Sequence, residues 1–145
     1  MNLRPLSRKD HDQVEHALRT AVSSAGTSKQ WFASIDLTKA LQEIFSGKYL
    51  VYIVEETYLV MADLGTAWFA AEDHKVLAEM LVLRVYPHGP GKFHDIPRAL
   101  AALGRAVGAR AIVVGTALAV NNRALARMYT REGFEPSATE LYKTL

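Results

Sequence analysis

Asn122-Arg-Ala-Leu-Ala-Arg-Met-Tyr129-Thr-Arg-Glu-Gly133-Phe134 is the stretch whose reading decides the fold. The spacing predicts one helix with defined ends. Asn122 is a good N-cap, because its side-chain oxygen accepts a free backbone N–H of the first turn, and Gly133 supplies the left-handed residue that closes a helix. Leu125, Met128 and Tyr129 fall on one face and predict an inward stripe.

Working outward, the remaining segments alternate between the helical and the strand period. Leu3 to Leu6 predicts a short strand, after which Asp10 or Asp12 caps a helix with Val14, Ala17, Leu18 and Val22 inward. The polar run Ser23 to Lys29 predicts a loop before Trp31-Phe32. Ser34 or Asp36 then caps a second helix with Leu37, Leu41, Ile44 and Phe45 inward, ending near Gly47. Tyr49 to Glu55 and Tyr58 to Met61 are rich in aromatic and β-branched residues and predict strands around a turn at Glu55 to Thr57. Ala67 to Ala70 predicts a further strand. Val76 to Tyr86 is an almost continuous apolar run, as suits a central strand covered on both faces. Ile96 to Val107 predicts a helix, Ala111 to Val114 a buried strand, and Glu140 to Leu145 a final strand after the helix quoted above.

The helix Asn122 to Phe134 resembles the end of the GCN5-related N-acetyltransferase (GNAT) family, whose last helix reads N-x-x-A-x-x-x-Y-x-x-x-G-F; Leu125 stands where the family commonly has alanine. The opening, a strand with Arg4-Pro5-Leu6 leading into a helix, and the order of elements along nearly the whole chain resemble the same family. The resemblance implies an α/β (α+β) fold: one domain over residues 1–145, with a mixed, mostly antiparallel central sheet flanked by about four helices. It also implies roles for residues. Tyr129 would protonate a departing thiolate, and Asn122 would contact the arm of acetyl-CoA. Glu79 on the central strand would take a proton from the acceptor amine, and a carboxylate between apolar walls has the raised pKa that a base needs. At the level of the residues alone, Glu79 reads first as a strand-end carboxylate paired with Arg84 or a lysine. Backbone groups of Leu81 to Val85, with Leu83 and Val85 nominated, would hold the thioester.

The same resemblance places the pyrophosphate loop, of type Arg/Gln-x-x-Gly-x-Gly/Ala, in Tyr86-Pro-His-Gly-Pro-Gly-Lys92-Phe-His-Asp95-Ile-Pro97-Arg98. Lys92 stands at the Arg/Gln position, Asp95 at the first glycine and Pro97 at the second; Lys92 and Arg98 are the nominated cations. Each departure matters physically. A carboxylate cap at Asp95 occupies helix donors and repels a phosphate, and Pro97 has no N–H to offer. Gly89 and Gly91 are the alternative, a phosphate loop shifted upstream.

Composition bounds the rest. The chain has 145 residues, a net charge of +2 and no cysteine, which excludes disulfides, thiolate metal sites and a cysteine nucleophile. His88 and His94 have no ligand set around them, so no metal is expected. His11, His16, Asp73 and His74 read as surface or turn residues. Interspersed charges predict no nucleic-acid stripe, and no apolar run reaches membrane-spanning length. The expectation is a cytoplasmic protein, or one carried within a virion assembled there.

Two functions follow. One is an acetyl-CoA-dependent N-acetyltransferase acting on a small primary amine. The other, favoured by the altered loop, is a GNAT-like protein without cofactor that contacts other protein subunits. In size and type that second form resembles the internal virion proteins of short-tailed, T7-like bacteriophages.

Overall fold

A tight turn with two left-handed residues organises the sheet. In the computed structural model, which describes residues 1–25, 35–66, 73–115, 122–137 and 143 (without the side chains of Ala25 and Asn122), β2 (Leu50–Val54) turns into β3 (Tyr58–Thr66) through Glu55 and Glu56 at φ +49° and +45°. Such a conformation costs a non-glycine residue about 1–2 kcal/mol, and β1 (Leu3–Pro5) holds it in place. The Asn2 N–H donates to Glu55 Oε1 at 2.7 Å, and Arg4 Nε donates to Glu56 Oε1 at 2.6 Å.

Five strands form one sheet in the order β1-β2-β3-β4-β5, with β4 at Lys75–Arg84 and β5 at Ala111–Val113. Every pair is antiparallel except β4 and β5, which run parallel. Helices α1 (His11–Ala25) and α2 (Leu37–Ile44) cover one face, packing Val14, Leu18 and Ile44 on Ile53, Leu59, Met61 and Leu83. Helices α3 (Asp95–Ala106) and α4 (Asn122–Arg131) cover the other, packing Ile96, Leu100 and Tyr129 on Val54, Val60, Ala62 and Leu77. The α/β architecture inferred from sequence is therefore present.

Several local expectations change. Ser23 and Ser24 extend α1 instead of starting a loop. Neither Asp10 nor Asp12 is the cap of α1: Asp12 is exposed in the first turn, and Asp10 is fully buried as the acceptor for Arg4, Ser7 and Tyr86. Asp36 does cap α2, accepting the Lys39 N–H at 3.0 Å. The short β5 is not buried, Val113 being 49% exposed. Trp31, Phe32, Ser34, the strand expected at 67–70 and most of the final strand at 140–145 lie outside the described residues.

Candidate active site

The register of β4 aims the central carboxylate. Met61 faces Leu81 but Ala62 faces Glu79, so Met80 is an extra residue on β4, a β-bulge. Side chains on a strand alternate faces, and one inserted residue reverses the parity beyond it. Leu81 and Leu83 accordingly point to the α1/α2 side, whereas Leu77 lies in the core under α3 and α4. Glu79, opposite the buried Ala62, is turned to that same side, where Tyr129 is.

There the sheet opens. Pairing of β4 with β5 covers only Val76 to Ala78, so the two strands part at Glu79. Glu79 Oε2 accepts the Gly115 N–H across the gap at 3.1 Å. Among the described residues it has no cation partner, and the sequence alternative of a pair with Arg84 is not what forms. Arg84 instead donates to the Pro87 carbonyl at 3.0 Å and lies over the Tyr58 ring. Burial raises the Glu79 pKa, and the Gly115 bond opposes it only in part.

The expected helix end positions Tyr129. Gly133 is left-handed at φ +92°, the Phe134 N–H donates to the Tyr129 carbonyl at 3.1 Å, and the Gly133 N–H donates to that of Thr130 at 3.1 Å. This pair of bonds is a Schellman closure, with Phe134 packed edge-on against Tyr129 at 5.2 Å between ring centroids. Tyr129 is only 4% exposed. Burial first, and the nearby Glu79 charge second, push its phenol well above the ordinary range, so it keeps its proton at neutral pH.

The remaining nominated residues are arranged differently from expectation. Val85 donates its N–H to the Thr57 carbonyl at 2.9 Å. Antiparallel bonding alternates along a strand, so the N–H of Leu83, opposite Leu59, also points to β3. Leu83 and Val85 therefore offer no free donor. The N–H groups directed away from β3, to the side where no described residue pairs with β4 beyond Ala78, are those of Val82 and Arg84, one residue away. Asn122 is the first residue of α4. Lys92 is exposed, and Arg98 lies 3.5 Å from Glu132, bracing α3 against the end of α4.

The loop before α3 is closed upon itself. Asp95 is not a cap but the first residue of α3, and its carboxylate accepts the Lys92 N–H at 2.7 Å. The helix donors are taken by backbone instead, Asp95 N–H to the Lys92 carbonyl at 2.9 Å and Ile96 N–H to that of Phe93 at 3.2 Å. The upstream alternative also fails as folded, because Gly91 donates to Thr57 Oγ1 at 2.8 Å and Gly89 to the Tyr86 carbonyl at 3.0 Å. These glycines are needed for close packing: a Cβ on Gly89 would come within 2.4 Å of the Glu56 carbonyl oxygen and 2.2 Å of Thr57 Oγ1. Thr57, fully buried, is thus the hub that joins the β2–β3 turn to this loop. Sequence reasoning missed it; the only signal was a threonine beside two glutamates at a turn.

A separate open cleft of about 340 Å³ lies between Ser7, Arg8, Phe45, Gly47 and Tyr49. It contains none of the residues discussed above as catalytic.

No family model matches the chain, and no curated protein matches it in sequence. Solved structures do match in fold. The BH1408 protein of Bacillus halodurans, as a tetramutant, superposes with a TM-score of 0.70 over 100% of both chains at 15% identity. An aminoglycoside 6'-N-acetyltransferase from Acinetobacter haemolyticus gives 0.64 over 100% of this chain and 98% of that one, also at 15% identity. An aminoglycoside N-acetyltransferase in complex with CoA gives 0.64 over 99% and 98% at 12% identity. The chain has the GNAT acyl-CoA N-acyltransferase fold.

Proposed function

We propose that this protein is an N-acetyltransferase acting on a primary amine, with a weakly held acetyl-CoA. The observation that carries the reading is Glu79, set by the Met80 bulge at the point where β4 and β5 part, without a cation partner among the described residues and beside the buried phenol of Tyr129. A carboxylate whose pKa burial raises, set in a gap of the sheet beside a buried phenol, is a functional-site candidate on physical grounds.

Acetyl-CoA would supply the activated acetyl group. The edge at Val82 and Arg84, unpaired among the described residues, suits its acyl arm, because N–H donors there would stabilise the charge that a thioester oxygen gains. The loop does not fit the pyrophosphate, since Gly89, Gly91, Lys92, Asp95 and Ile96 already donate their N–H groups elsewhere and Pro97 has none. As the amine nitrogen forms the amide bond and the thioester C–S bond breaks, Glu79 would accept the amine proton at a carboxylate oxygen and release it to solvent, and Tyr129 would give its phenolic proton to the departing sulfur and recover one from solvent.

A second reading is favoured by the loop itself: a GNAT-fold protein without cofactor that binds other subunits, as a virion component would. Calorimetry with acetyl-CoA separates the two, using the native chain and an Asp95→Gly/Pro97→Gly variant. The acetyltransferase reading expects weak binding by the native chain, at least about tenfold tighter in the variant, a difference of about 1.4 kcal/mol. It also expects amine acetylation that Tyr129→Phe slows. Absence of binding by both chains, with no acetylation of a panel of primary amines, refutes it and leaves the second reading.

A further inference from the structure

Read linearly, the charges of this chain are interspersed; the fold sorts one group of them into a row. Arg123, Arg127 and Arg131 follow one another at four-residue intervals along α4, and all three are exposed. Four residues advance a helix by about 6 Å and return to nearly the same face, so the three guanidinium groups span about 12 Å. Helix α4 contains no acidic residue. None of the three arginines makes an ion pair with a described residue, while Arg19, Arg98 and Arg110 each lie within 3.5 Å of a carboxylate. The first acid after the helix, Glu132, is the partner of Arg98.

This row has a structural disadvantage. Like charges four residues apart destabilise a helix, and a cation in the first turn opposes the dipole, as Arg123 does. The positions between the arginines are low in relief: Ala124, Ala126 and Thr130 are exposed there, and the apolar residues Leu125, Met128 and Tyr129 are turned into the core.

We propose that the outer face of α4 binds the phosphodiester backbone of a nucleic acid. Charge complementarity and spacing select this partner. A duplex strand places one phosphate per about 3.4 Å of axis, so a 12 Å row meets about three to four of them, and guanidinium groups bind phosphate oxygens in pairs. An anionic membrane is disfavoured because a surface helix must insert an apolar face, and the apolar face of α4 is already used. An acidic protein is disfavoured because no aromatic or apolar anchor stands exposed beside the row among the described residues. The inference is independent of acyl transfer and of the loop before α3.

The test is fluorescence anisotropy of a labelled single-stranded oligonucleotide and of its duplex, titrated with the native chain without acetyl-CoA across a salt series. Three phosphate contacts predict a slope of log K against log salt of about −2 for the single strand and about −2.7 for the duplex, a loss of about 20- to 40-fold between about 50 and 200 mM salt. Binding is lost in Arg123→Gln/Arg127→Gln/Arg131→Gln, and the corresponding triple lysine variant keeps the slope. If the triple glutamine chain does not fold, as read by circular dichroism, Arg127→Gln alone reduces the slope by about 0.7 to 0.9. No binding by the native chain at low salt overturns the proposal. So does unchanged binding by the glutamine variants, or tighter association with phosphatidylserine vesicles than with either oligonucleotide.

Discussion

Asp10→Asn should be among the most damaging conservative substitutions in this protein. The Asp10 carboxylate is fully buried and receives Arg4 Nη1 and Nη2 at 2.9 Å each, the Ser7 N–H at 3.0 Å, the Ser7 hydroxyl at 3.2 Å and the Tyr86 hydroxyl. Five donors converge on two oxygens. An amide has one oxygen, so its NH2 must face either one Arg4 nitrogen and Tyr86, or the other Arg4 nitrogen and Ser7. Either way a donor opposes donors, and the Arg4 charge keeps only Glu56. Removing one partner of a buried ion pair typically costs about 3–5 kcal/mol, which for a domain of this size lowers the melting temperature by roughly 10 to 20 °C. The pH dependence adds a signature. Burial alone would raise the Asp10 pKa, but the hydrogen bonds from Arg4, Tyr86 and Ser7 together outweigh it and hold the group well below the usual carboxylate range. A depressed pKa contributes stability above the unfolded value, about 3.9, and loses it as pH falls toward the folded value. Urea unfolding of both chains from pH 7 downward should therefore show a gap that is fully open near neutrality and closes below about pH 4. A gap under about 1 kcal/mol at pH 7, or one that persists unchanged in acid, would refute the reasoning.

Two further predictions concern the site. Gly89→Ala should destabilise by about 1–3 kcal/mol in the same assay, because the new methyl group meets the Glu56 backbone oxygen and Thr57 Oγ1; Gly65→Ala, with open space around it, should stay within about 0.5 kcal/mol of the native chain. Glu79→Gln should gain on the native chain as pH rises. The native carboxyl has a raised pKa, so its favourable contribution is present in acid and is lost as pH climbs through the folded value; equal pH profiles for the two chains would show that burial does not perturb Glu79.

What could be read from the sequence was whatever depends on local chemistry. The Schellman closure at Tyr129, Gly133 and Phe134 was legible because a glycine after a periodic helix leaves few other endings, and Asp36 was legible as a cap for the same kind of reason. The loop before α3 was legible in part: Pro97 cannot donate in any conformation, but which donors Asp95 engages depends on backbone angles that the sequence does not state. Asp10 was legible only as a capping carboxylate, a part it plays in the short helical turn before α1 by accepting the Ser7 N–H at 3.0 Å; that Arg4 and Tyr86 also converge on it depends on contacts distant in sequence.

The orientation of Glu79 was not legible at all, and the reason is physical. Val76 to Tyr86 is apolar on both parities, so its composition is the same with the bulge as without it, and no residue marks Met80 as the one that drops out of register. Yet that single residue decides which face of the sheet the carboxylate is on. With a regular ladder Glu79 would share the face of Leu81 and Leu83, under α1 and α2; with the bulge it shares the face of Ala62 and Tyr129. Buried central strands, which hide a one-residue shift behind uniform hydrophobicity, are where sequence reasoning about a catalytic carboxylate is weakest. That Glu79 shares a face with Tyr129 is accordingly a property of the register and not of the motif.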